Sequence, residues 1–135
     1  MFDDDDVCLP GNQGARGTPA MLPSKIVCVG RNYAEHAREL GNAVPETPIL
    51  FIKPTTSLRP MAEGIVWPKG QGDCHFETEL CVQIGSRLSH CSRDEAQLAI
   101  RGLTLGLDLT LRDVQNTLKT KGHPWERAKA FDGAC

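Results

Sequence analysis

The sequence predicts an α+β domain built on a mixed, mostly antiparallel sheet. Three observations carry that expectation. Residues 75–84 and 103–111 alternate apolar and polar side chains with the period of two that a half-buried strand requires. Two shorter runs, KIVCVG at 25–30 and ILFIKP at 49–54, are apolar, rich in β-branched residues and closed by glycine or proline. The helical patterns among them are short and irregularly interleaved, which does not fit a doubly wound parallel sheet.

In chain order, residues 1–23 form a disordered or linker tail, acidic and then Gly- and Pro-rich (LPGNQGARGTPAMLPS). The Asp3–Asp6 run reads as a solvated charge run, because it lacks the spacing of a calcium-binding loop. Order begins with the strand at 25–30. Asn32 then caps a short helix whose apolar stripe is Ala34, Ala37 and Leu40, and Gly41 ends it. NAVPETP is loop, and proline stops the strand at 49–54. TTSLRPMAEG is loop and IVWP a brief extended piece. In the strand at 75–84, Phe76, Thr78, Leu80, Val82 and Ile84 share one face; His75, Glu77, Glu79, Cys81 and Gln83 share the other. Ser92 with Glu95 makes a capping box that opens a short helix. LTLGLDLTLR alternates again, with Leu103, Leu105, Leu107 and Leu109 opposite Thr104, Gly106, Asp108 and Thr110. Thr110 with Asp113 suggests a second capping box for a helix over 111–121, stopped by Gly122 and Pro124. WERAKAFDGAC closes the chain as a turn followed by an extended piece.

At 135 residues the chain suits one domain with a core of its own. A net charge of −2 with interspersed signs carries no nucleic-acid footprint. No apolar run reaches the ~20 residues of a membrane helix. The acidic N-terminus is unlike a secretory signal, so the expectation is a cytoplasmic protein with no membrane partner. The six cysteines (8, 28, 74, 81, 91 and 135) form no C-x-x-C pair and no zinc spacing; they read as free, packing thiols in a reducing compartment. Cys74 and His75 are neighbours in sequence, which does not make them a catalytic dyad.

The chemistry is concentrated in a few polar residues. Glu77 and Glu79 project from one face of a strand, ~6.6 Å apart along it. Two such carboxylates repel unless water or a cation separates them, so a solvated face and a cation site are both open readings. Asp108 lies on the polar face of the other alternating strand among small neighbours. If the strands pair, three carboxylates converge, and an all-oxygen set favours a hard divalent ion such as Mg²⁺, Mn²⁺ or Ca²⁺. His36 and Glu39 are three apart on the first helix. They read either as an exposed polar face, with Glu35 and Arg38, or as a carboxylate-oriented general base. Arg112 and Gln115 begin a helix where they could hold a substrate carboxylate. Lys53 and Lys129 stand in weakly charged segments and read by themselves as surface lysines.

Together, VGRNYAEHAREL, PILFIKP, HFETEL, LDLTLRDVQ and KGHPWERAKAFD resemble the fumarylacetoacetate hydrolase family, in particular its short acylpyruvase-like and oxaloacetate-directed members. The resemblance runs over 24–135. It implies that this region is the N-terminal part of a catalytic domain with a β-sandwich roll, usually homodimeric. It implies metal ligation by Glu77, Glu79 and Asp108, and water activation by His36 with Glu39. It implies that Arg112, Gln115 and Lys129 hold a 2-oxo acid, with Arg31 and Lys53 near the site. The implied reaction is hydrolytic C–C cleavage of an acylpyruvate or related β-diketo acid: a divalent cation holds the 2-oxo acid and His36 deprotonates the attacking water. Oxaloacetate decarboxylation or tautomerisation is the alternative within the family, and an inactive partial domain the alternative outside it. Members continue past the FDGAC motif with more of the β-core. The expectation is therefore an incomplete fold, poorly stable alone and weakly active.

Overall fold

A computed structural model describes residues 23–33, 35 and 45–135. The expected N-terminal tail and most of the expected first helix, with His36 and Glu39, lie outside the described residues. The described elements are β1 (Ile26–Gly30), β2 (Ile49–Lys53), β3 (Cys74–Ile84), α1 (Arg93–Leu98), β4 (Ile100–Leu111), α2 (Arg112–Lys121) and α3 (Glu126–Lys129). Two single 3₁₀ turns, Thr55–Ser57 and Met61–Glu63, occupy the region expected as loop between β2 and β3. None of the described helices is long and apolar enough to cross a membrane.

The architecture is mixed, with antiparallel sheets, as the alternation predicts. β1 pairs with β2, and β3 with β4, each antiparallel. The second ribbon is the longer, and its register sets Glu77 directly opposite Asp108 and Glu79 opposite Gly106. The Ser92–Glu95 capping box forms as expected: Ser92 Oγ accepts from the Glu95 N–H, and the Glu95 carboxylate accepts from the Ser92 N–H at 2.7 Å. The second expected box does not form. α2 is capped by Leu111 without a side-chain bond, because Thr110 is fully buried in the strand opposite His75. Asp113 accepts instead from the Asp73 N–H at 3.2 Å. Gly122 takes the left-handed conformation (φ 65°) that lets the C-terminus of α2 close, a conformation glycine adopts without steric cost.

The core is small. Leu111, Leu118 and Ala128 are buried together, with Cys74, Val114, Trp125 and Phe131 packed against them. The C-terminal residues are bonded into the structure. Cys135 donates its N–H to Ser57 O and accepts from the Arg59 N–H, both at 2.8 Å, and Ala134 O accepts from the Leu109 N–H at 2.9 Å. The β3–β4 ribbon turns its faces opposite to the usual sense. Phe76, Leu80, Leu103 and Leu105 are each more than half exposed, whereas Asp108 and Thr110 are buried beneath α3 and the C-terminal segment. Only near Leu109 do both faces go under. No disulfide joins the described cysteines Cys28, Cys74, Cys81, Cys91 and Cys135.

Candidate functional site

β3 supplies Glu77 and Glu79, and β4 supplies Asp108. Each of the three can offer an oxygen within 4.8 Å of the others. Like charges directly opposite on paired strands are destabilising, and here cations oppose that repulsion. Lys129 Nζ lies 2.9 Å from Glu77 Oε2 and 2.6 Å from Asp108 Oδ2. Arg112 reaches Glu77 Oε1 at 2.6 Å and donates to Gln115 Oε1 at 2.8 Å. Lys53 Nζ lies 2.9 Å from Asp108 Oδ1. Lys53 and Lys129 are buried, which corrects their reading as surface lysines; Lys129 sits 5.4 Å from the centre of the Phe51 ring.

The carboxylates do not share one electrostatic fate. Burial alone would raise the Glu77 pKa, but the hydrogen bonds and charges of Lys129 and then Arg112 outweigh it and hold the group below its ordinary range. Glu79 is pushed up, first by burial and then by the charges of Asp108 and Glu77, with only a Tyr33 contact and Lys129 pulling the other way. No ion pair joins Glu79 to a basic side chain among the described residues. Asp108 Oδ1 is buried and receives no aligned hydrogen bond, its contact with Lys53 being ionic. Three clustered carboxylates, one with no ion pair among the described residues and one with a buried unfilled lone pair, fit a hard divalent cation with oxygen ligands.

The remaining expected residues take different places. Arg31 is exposed in the turn after β1, with φ 55°. Its charge, together with that of Arg112, helps lower the Lys119 pKa, for which burial is the larger cause. Gln115 is buried and holds Arg112. Lys53 donates to the carbonyl oxygens of Lys129 and, at 3.1 Å, Ala134. Sequence reasoning missed Tyr33, whose hydroxyl accepts from the Leu80 N–H at 3.4 Å and contacts Glu79. It also missed the Phe51–Trp125 pair beside Lys129, ring centres 5.9 Å apart. Tyr33 stands outside any periodic pattern, and only its place within the NYAEH motif could have marked it. The surface clefts beside Arg59 and beside Trp125 contain none of the three carboxylates.

Known proteins resemble this chain closely. The family model described as fumarylacetoacetate hydrolase C-terminal matches residues 25–135. An Escherichia coli relative named oxaloacetate tautomerase YcgM is 51% identical over 112 residues, covering 83% of this chain and 51% of the relative. A solved structure from Oleispira antarctica, provisionally assigned as a fumarylacetoacetate isomerase/hydrolase, shares 59% identity with a TM-score of 0.80, covering 83% of this chain and 50% of that one. A fumarylpyruvate hydrolase from Pseudomonas aeruginosa, solved in complex with Mn²⁺ and pyruvate, shares 32% identity with a TM-score of 0.73, covering 96% of this chain and 55% of that one. The chain thus spans about half the length of the relatives it matches.

Proposed function

The chain belongs to the fumarylacetoacetate hydrolase family, and from that premise we propose that its site interconverts the keto and enol forms of oxaloacetate with a divalent cation bound by Glu77, Glu79 and Asp108. The observation that carries the site is the cross-strand register that brings these three carboxylates within 4.8 Å. The choice of reaction is supported by the relative named oxaloacetate tautomerase at 51% identity. The C–C hydrolysis expected from the sequence takes second place, since the fumarylpyruvate hydrolase stands at 32%. That protein's Mn²⁺ supports a divalent cation at this site.

When bound, the cation would supply Lewis-acid polarisation of a 2-oxo carbonyl. The protein's own groups divide the rest of the work. Tautomerisation moves one proton from C3 and places one on the C2 oxygen, with no change in composition. Lys129, its ammonium held between Glu77 and Asp108, is the donor assigned to the C2 oxygen. Arg112 uses part of its five-donor fork on Glu77 and Gln115 and keeps the remainder for a substrate carboxylate. Gln115 fixes the plane of that fork. Arg31 and Lys119 add positive potential on the same side. His36 with Glu39 is assigned the proton at C3, on the strength of their motif alone. Charge also favours a dianion: three carboxylates face three bonded cations, so a bound divalent ion leaves two positive charges to neutralise.

The test follows enol loss from oxaloacetate by ultraviolet absorbance, alongside pyruvate release. Enol loss should require Mn²⁺ or Mg²⁺, stop on chelation, and fail in Asp108→Asn. Cation-independent turnover would overturn the assignment. Pyruvate released from oxaloacetate would favour decarboxylation, and from an acylpyruvate, hydrolysis.

A further inference from the structure

Lys53 is the last residue of β2 and is fully buried. Alternation along β2 puts it on the inward side with Ile49 and Phe51. A buried ammonium is costly unless hydrogen bonds and a counter-charge offset its burial. Two carbonyl oxygens accept from this one, those of Lys129 and, at 3.1 Å, Ala134, and the Asp108 carboxylate faces it through Oδ1 as an ion pair at 2.9 Å. Each partner leads back to the carboxylates. Asp108 turns its other oxygen to Lys129 Nζ at 2.6 Å. Lys129 is gripped at its main chain while its side chain bridges Glu77 and Asp108. Ala134 O also accepts from the N–H of Leu109, next to Asp108 in β4.

We propose that Lys53 is a positioning residue for this site: it fixes the rotation of the Asp108 carboxylate and the location of the Lys129 ammonium, and so sets cation affinity without touching the substrate. The resemblance places Lys53 near the site; both of its hydrogen-bond acceptors and its ion-pair partner are protein atoms. The inference rests on the carboxylate site as read above.

Two measurements on this chain test it. The first is calorimetric titration of Mn²⁺ into the wild type, Lys53→Met and Lys53→Arg with no 2-oxo acid present, and the thermal midpoint of each sample is recorded. Both variants should bind Mn²⁺ about ten- to a hundredfold more weakly, the loss typical when a group orienting a metal ligand is removed. A lower midpoint with unchanged Mn²⁺ affinity would make Lys53 merely structural. Unchanged Mn²⁺ affinity with loss of oxalate binding to the Mn²⁺-loaded variant would make it a ligand contact. Either result overturns the proposal. The second measurement needs neither a variant nor a metal. Reductive methylation of the native wild type, read by mass spectrometry, should modify exposed Lys69 and Lys121 and leave Lys53 unmodified, with or without oxalate. Modification of Lys53 at the rate of Lys121 would overturn the clamp even if the variants fail to fold. A wild type that binds no Mn²⁺ would count against the proposed function instead, and the methylation result would still decide whether Lys53 is clamped.

Discussion

The two faces of the β3–β4 ribbon invert the usual arrangement. On one, Glu77, Glu79 and Asp108 lie against Lys53, Lys129 and Arg112, half-buried or fully buried. On the other, Phe76, Leu80, Leu103 and Leu105 stand in the open. The difference shows what holds each side. The charged face is closed by long-range ion pairs, which offset the burial of carboxylates only while each partner is present. The apolar face is a contiguous surface of the kind that monomers rarely leave bare. β1–β2 repeats the pattern, with Val27, Val29, Leu50 and Ile52 exposed while Lys53 is buried.

The largest expected effect is on the charged face. Lys129→Met leaves Glu77 and Asp108 opposed without their shared counter-ion and should cost about 3 kcal/mol or more in urea unfolding. Leu105→Thr, on the other face of the same ribbon, should change stability by no more than about 0.5 kcal/mol. A cost for Leu105→Thr that grows with protein concentration would break the comparison, because it would mean that the open face is covered by a second copy in solution. Next comes the core: Leu111→Ala should cost about 2–5 kcal/mol, since a fully buried leucine leaves a cavity. Smaller is the contrast between the two capping candidates. Ser92→Ala should cost about 1 kcal/mol. Thr110→Val should be neutral or slightly stabilising, because its buried hydroxyl has no hydrogen bond to lose. The subtlest test is chemical. Burial, and next the Asp108 charge, push the Cys28 thiol up from 9.0 to about 12. Iodoacetamide at mildly alkaline pH should therefore label exposed Cys91 long before Cys28. The fold keeps Cys28 protonated while the unfolded chain ionises near 9.0, so its contribution to stability declines as pH rises from 9.0 toward about 12.

Much of the site was legible in the sequence because strand alternation is a local signal. It put Glu77 and Glu79 on one face and Asp108 on the matching face of β4, and pairing made them neighbours. Alternation says which residues share a face, not which face is covered. The covering groups come from far along the chain. Lys53 contacts a carbonyl 76 residues away and Lys129 a carboxylate 21 residues away, separations at which no periodicity operates. The Thr110–Asp113 motif had the right spacing but the wrong context, since its threonine was already committed to a strand. Ser92–Glu95 lies in an exposed connection with no such competing commitment.

Ala134 has no chemistry of its own, yet its carbonyl is shared by Lys53 and Leu109 and its side chain is completely enclosed. Any larger residue there must push the main chain aside, and the carbonyl moves with it. Position 134 is thus a steric dial on the carboxylate cluster: side-chain volume alone, with no change in charge or ligand, would be read out as the strength with which the site holds a cation.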